Sequence, residues 1–173
     1  MNAEKLSLRV PGPLGEMLLV ATPDGSALCG LYLERQKYYP LMTAAMREAP
    51  DLPLFAEAAS ELREYFSGAR RTFDLPLALA GTPFQQRIWS AICGVPFGMT
   101  ITYAELARRC RRPSAVRAAG AATGRNPLTI VVPCHRIMGS GGALTGYAGG
   151  LDRKRALLDL ESRHLSALTR SVA

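Results

Sequence analysis

Residues 103–123 read Tyr103-Ala104-Glu105-Leu106-Ala107-Arg108-Arg109-Cys110-Arg111-Arg112-Pro113-Ser114-Ala115-Val116-Arg117-Ala118-Ala119-Gly120-Ala121-Ala122-Thr123. A short helix is expected from Tyr103 to Cys110. It breaks at Arg111-Arg112-Pro113, because proline cannot continue a helix and biases the residue before it toward extended backbone. Ser114 is of the type that caps a helix N-terminus, which places a second helix from there to about Thr123. Two short helices joined by a tight turn make a helix-turn-helix. Apart from Val116 and Arg117, the side chains of the second helix are small. So slim a surface either packs closely against protein or enters a minor groove only ~6 Å wide, with Arg117 as the one long cation to insert.

Downstream, Gly124-Arg125-Asn126-Pro127 leads into Leu128-Thr129-Ile130-Val131-Val132, an apolar run that reads as a buried strand. The run delivers Pro133-Cys134-His135-Arg136. A thiol beside an imidazole and a guanidinium is in a setting that favours thiolate, the reacting form. A cysteine at a strand end can also be inert packing. In extended backbone adjacent side chains face opposite ways, so a water is expected between Cys134 and His135. Two glycine-rich stretches follow, Gly139–Gly142 and Thr145–Gly150. A last helix is expected from Leu151 through Glu161, with Leu157, Leu158 and Leu165 on its apolar face. Glu161 either orients His135 or is a surface carboxylate, and spacing alone favours the surface.

Upstream, Thr82-Pro83 reads as an N-cap followed by proline at the first helical position. Phe84, Ile88, Ala91 and Ile92 give that helix one apolar face, with Trp89 beside it, and Pro96-Phe97-Gly98 stops it. The first half of the chain reads as a small α/β unit. Met17–Ala21 and Leu28–Leu33 are strand candidates around the turn signal Pro23-Asp24-Gly25, and they resemble a hairpin. Phe55, Ala58, Ala59, Leu62 and Phe66 fall at helical spacing, with Pro53 at the start and Gly68 just past the end. Residues 69–81 read as a linker. The expected fold is α/β in class: an N-terminal α/β scaffold domain with an antiparallel sheet over residues 1–76, and a mostly helical, winged helix-turn-helix-like domain over 82–173.

Charge divides along the same line. Residues 1–80 hold 8 Lys+Arg against 10 Asp+Glu, net −2, whereas residues 81–173 hold 13 against 4, net +9, and 12 of those 13 are arginines. Guanidinium donates in pairs and suits phosphate better than ammonium does, so the asymmetry points to a polyanion bound by the second half. Cys29, Cys93, Cys110 and Cys134 form no Cys-x-x-Cys pair, and His135 and His164 complete no zinc spacing, so no metal site is expected. No apolar run approaches the ~20 residues that cross a bilayer. The N-terminus lacks the basic-then-apolar order of a signal peptide. A cytoplasmic protein with reduced thiols, and no membrane partner, is the expectation.

Thr100 to Ala107, the Arg117 helix, Asn126-Pro127, Ile130 to Arg136 and Thr145 to Gly150 together resemble the O6-alkylguanine-DNA alkyltransferases, the methylated-DNA–protein-cysteine methyltransferases. Order and spacing agree from Thr82 to Glu161, and more weakly from Gly15 to Leu33. The chain departs from the common pattern at Lys154-Arg155-Ala156, where relatives often carry Lys-Glu-Trp. Ala148 stands where some relatives have serine, and Met99 replaces a frequent acidic residue.

The resemblance implies direct-reversal DNA repair by a single-use protein that needs no metal or organic cofactor. Its implied partner is duplex DNA with alkylated bases, bound through the minor groove by a monomer. Cys134 would accept the alkyl group, His135 would take its proton through water, and Glu161 would hold the imidazole. Asn126 would brace the turn before the active-site segment. Arg117 would enter the base stack beside Ala118, Ala119 and Gly120. Tyr103 would crowd the phosphate and help protonate the departing base. Val132, Tyr147 and Ala148 would line the base pocket. Two rivals carry different expectations: a lesion-binding relative without transfer, which would replace the reactive cysteine, and a cysteine hydrolase, which would turn over repeatedly.

Overall fold

The computed structural model describes residues 4–40 and 46–171, with side chains to residue 166. Met1–Ala3, at the head of the N-terminus read above for a signal, and residues 41–45, within the stretch 34–53 that carries no clear sequence pattern, lie outside them. Among the described residues no helix is long and apolar enough to cross a membrane. The chain forms two compact units, Met1–Ala80 with Pro127–Thr129, and Gly81–Asn126 with Ile130–Ala173.

In the first unit β1 (Lys5–Val10), β2 (Met17–Ala21), β3 (Leu28–Leu33) and β4 (Met46–Glu48) form a sheet in the order β3-β2-β1-β4. β1, β2 and β3 pair antiparallel, and only the short β4 runs parallel, beside β1. All five residues of β2 are buried, as a central strand covered on both faces requires. Helix α1 (Pro53–Ser67) has proline in its first turn and ends at Gly68, whose φ of 81° is left-handed and costs glycine little. Its buried face includes Leu54, Phe55, Ala58, Leu62 and Tyr65, so in the last turn Tyr65, rather than the expected Phe66, is the core aromatic.

The expected linker 69–81 is tied down along much of its length. Arg70 reaches Glu61 at 3.2 Å and Glu64 at 2.8 Å. The Leu28 N–H donates to Pro76 O, and the Ala78 N–H to Leu28 O. Residues 128–132 are likewise not a strand. The Leu31 N–H donates to Pro127 O and the Thr129 N–H to Leu31 O, but Ile130 then takes a φ of 75°. A β-branched residue in left-handed backbone costs ~1–3 kcal/mol and ends any ladder. The run is apolar because it is buried from Leu128 to Val132, not because it is extended.

In the second unit α2 (Pro83–Cys93), α3 (Tyr103–Arg109) and α4 (Val116–Gly124) pack as a three-helix cluster. Thr82 caps α2 in a reciprocal box with Gln85, and Thr102 Oγ1 caps α3 by accepting from the Glu105 N–H at 3.1 Å. The cap of α4 is Ala115, with no side-chain bond, so Ser114 does not fill the role its type favours. β5 (Ile101–Thr102) and β6 (Ile137–Met138) form a short parallel pair. Helix α5 (Leu151–Ser171) runs ten residues beyond the expected end, and on it Leu157 is buried while Leu165 is exposed.

Trp89 joins α2 to α4: its ring is 2% exposed and its Nε1–H donates to Ala122 O at 2.9 Å. Trp89→Phe removes that bond and part of the ring volume, at an expected cost of about 1–2 kcal/mol. Urea denaturation followed by circular dichroism measures it, since Trp89 is the one tryptophan and its fluorescence goes with it.

Candidate active site

Cys134, His135 and Arg136 form one turn of 3-10 helix rather than extended backbone. The Cys134 N–H donates to Val132 O at 2.8 Å and the Arg136 N–H to Pro133 O at 3.0 Å. This turn sends His135 and Arg136 to the same carboxylate. Glu161, on α5 and fully buried, lies 2.7 Å from His135 Nε2 through Oε1. It accepts from Arg136 Nε at 3.0 Å, from Arg136 Nη2 at 2.9 Å and from the Gly98 N–H at 2.9 Å. The surface placement expected from spacing is therefore wrong: Glu161 is the hub of a buried charge network.

Burial alone would raise the Glu161 carboxyl, but the bonds from His135 and Arg136 carry it down to about 2. An ionised Glu161 fixes the proton of neutral His135 on Nε2 and leaves the lone pair on Nδ1. Burial also lowers His135, against the pull of Glu161, so the imidazole is neutral at physiological pH.

Cys134 is 4% exposed, and burial pushes its thiol up to about 11, against the opposing bond from Asn126 and the charge of Lys154. The expected resting thiolate is overturned. The Arg136 guanidinium is committed to Glu161 and, through Nη1, to Val95 O at 2.6 Å, and burial dominates what remains. Asn126 Nδ2 donates both to Val132 O at 2.8 Å and to Cys134 Sγ at 3.1 Å, coupling the end of the α4 connection directly to the sulfur. The site holds a neutral thiol, a neutral imidazole and an anchored carboxylate, a set of groups that can move a proton from sulfur to imidazole.

Lys154 is the charged group that sequence reasoning passed over. It is fully buried on α5, and its Nζ donates to Ile137 O at 2.5 Å and Thr145 O at 2.7 Å. Burial lowers its ammonium to about 8. The signal was available in Lys154, Leu157 and Glu161, whose i, i+3, i+7 spacing puts two charges on the buried face of one helix. Tyr103 O–H donates to Gly146 O at 3.0 Å, so Tyr103 and Lys154 hold the loop that leads to half-buried Tyr147 and Ala148.

On α4, Arg117, Ala118 and Ala121 are exposed along one side. Ala119, expected on the nucleic-acid face, is fully buried and packs the helix inward. Gly120 faces the Tyr103 ring, where an added Cβ would stand 3.8 Å from Cδ1.

A slim arginine-bearing helix and a buried cysteine that accepts from Asn126, next in sequence to a paired imidazole and carboxylate, lie in one unit on a helix-turn-helix frame. Residues 83–163 match the model for the 6-O-methylguanine DNA methyltransferase DNA-binding domain, and residues 11–79 that for the same family's ribonuclease-like domain. The chain belongs to the 6-O-methylguanine DNA methyltransferase family, the methylated-DNA–protein-cysteine methyltransferases. It is 44% identical to the methylated-DNA–protein-cysteine methyltransferase of Mycobacterium tuberculosis over 91% of this chain and 93% of that one. It is 43% identical to the constitutive enzyme of Bacillus subtilis over 84% and 88%. The crystal structure of Mycobacterium tuberculosis OGT in complex with DNA superposes with a TM-score of 0.84 at 40% identity, covering 92% of this chain and 94% of that one.

Proposed function

We propose that this chain repairs duplex DNA by moving an alkyl group from O6 of guanine, and from O4 of thymine, to Cys134 Sγ, once per molecule. The observation that carries the reading is the bond from Asn126 to Cys134 Sγ beside the buried His135–Glu161 pair, in the unit that also presents Arg117.

The target carbon sits on a base edge inside a stacked duplex, so the base must leave the stack at a cost of a few kcal/mol. Arg117 fills the vacated place and offsets part of that cost, while α4 lies in the minor groove through Ala118 and Gly120. The flipped base is received by backbone at Val132 and by Tyr147 and Ala148. Displacing solvent, it brings His135 into play through a bridging water, and the thiol proton passes to the imidazole. Glu161 balances the imidazolium, and Asn126 supports the thiolate that forms. Sγ then attacks the saturated carbon. An S–C bond forms, the C–O bond breaks, and the electron pair leaves with the base oxygen. Tyr103 supplies a proton to the departing base. The thioether is inert to water, which makes the transfer stoichiometric, and apart from the bridging water every group the protein brings to the reaction is a side chain or backbone atom of the chain itself. The protein works as a monomer in the cytoplasm.

Arg117→Ala tests the base-flipping part. Transfer from duplex should slow by at least tenfold, a loss of ~1.4 kcal/mol of transition-state stabilisation. Transfer from the free alkylated base should keep its rate, because only a duplex needs a filler. Equal loss on both substrates removes Arg117 from that role.

A further inference from the structure

A cationic cleft opens in the helical unit, on residues that take no part in the Cys134 site. It has a volume of about 650 Å3 and lies between α2, which contributes Gln86, Arg87 and Ser90, and the end of α3, which contributes Arg109, Cys110 and Arg111. Three arginines line it and no acidic residue does. Arg109 is held by Glu105 at 3.0 Å, but Arg87 and Arg111 have no acidic partner among the described residues. Cys110 Sγ lies 3.7 Å from Arg87 O, joining the two walls.

Arg111 carries an unusual backbone for its type. Its φ is 56°, at the place just past a helix where glycine is the unstrained choice. The position is closed by the Arg111 N–H donating to Arg108 O and the Arg112 N–H to Ala107 O, both at 2.9 Å. An arginine there holds backbone strain that glycine avoids. The same turn, Arg111-Arg112-Pro113, leads into α4 and places Arg117 only six residues on.

A small anion would be satisfied by one guanidinium fork. Arginines from two elements lining one open cleft suit a chain of phosphodiesters. We propose that the Arg87–Arg111 cleft is a second phosphate-binding site, engaging the DNA backbone that flanks the lesion, apart from the base-flipping contacts of α4. This rests on the DNA-repair reading above and extends it from a lesion contact to a longer footprint. Such contacts fix register and carry affinity without reading sequence.

The test compares the intact chain with the double variant Arg87→Ala/Arg111→Gly, in which glycine also relieves the left-handed backbone. Lesion-free duplex is titrated across salt concentrations. Removing one phosphate-binding arginine should flatten the slope of log K against log[salt] by ~0.9, so the double variant should lose about 1 to 2 in slope. A control double variant, Arg155→Ala/Arg163→Ala, removes two exposed α5 arginines outside the cleft and should change the slope by less than half as much. Transfer from free O6-methylguanine to Cys134 should keep the same rate in all three proteins. An unchanged slope in the cleft variant, or an equal fall in the control, overturns the proposal. Because the slopes are read on lesion-free DNA, absence of transfer in every protein would sink the repair reading without deciding the cleft.

Discussion

Replacing Cys134 with alanine is expected to abolish alkyl transfer completely while leaving duplex affinity within about twofold. The thiol is only 4% exposed, so it can contribute little to binding a duplex. Its removal costs Asn126 Nδ2 the 3.1 Å bond to sulfur but spares the 2.8 Å bond to Val132 O, so the turn should survive with a stability loss of about 1 kcal/mol. A mobility-shift titration with undamaged duplex, beside a transfer assay on O6-methylguanine duplex, separates the two effects. Transfer that persists in Cys134→Ala would move the acceptor to another residue.

The largest structural effect is expected from Glu161→Ala. It leaves the Arg136 guanidinium and His135 buried without their shared carboxylate and strips the Gly98 N–H of its acceptor. Breaking one side of a buried charge network costs about 3–5 kcal/mol, against a total stability of only ~5–15 kcal/mol. The urea midpoint should therefore fall by at least about a fifth, and Glu161→Gln, which keeps an acceptor in place, should fall less.

Acid dependence carries the same information. The folded carboxyl is held at about 2 against an ordinary 4.5, so its contribution is present above 4.5 and is lost as pH falls toward 2. His135, lowered from 6.5 by burial, acts in the same direction, since the unfolded chain binds that proton first. Wild-type stability should decline on acidification from about pH 6.5, and Glu161→Gln should flatten the limb below about 4.5. A variant as acid-sensitive as wild type would mean that the network does not hold Glu161 ionised.

The parts of the fold set by local rules were legible from the residues alone. Proline and glycine bracket α1, a Thr82 N-cap followed by proline opens α2, and the Arg111-Arg112-Pro113 break separates α3 from α4. The errors fell where tertiary structure overrides local preference. Leu128–Val132 has strand composition, but its apolar residues answer to burial and the left-handed Ile130 bends the path. Glu161 looked like a surface carboxylate because its partners come from residues 98, 135 and 136, more than twenty positions away. The thiolate expectation counted Arg136 as a neighbour of Cys134, when the guanidinium is spent on Glu161 and desolvation decides the proton. Small side chains on α4 do not reveal which face they serve, and Ala119, which the resemblance sets beside the DNA, packs inward.

Intact-mass measurement of the full chain after incubation with excess O6-methylguanine duplex addresses the acceptor role most directly. The account predicts a single added methylene, about 14 Da, on every molecule, mapping by peptide digestion to Cys134 and never exceeding one per chain. An unchanged mass, or an alkyl group on any other residue, would contradict it.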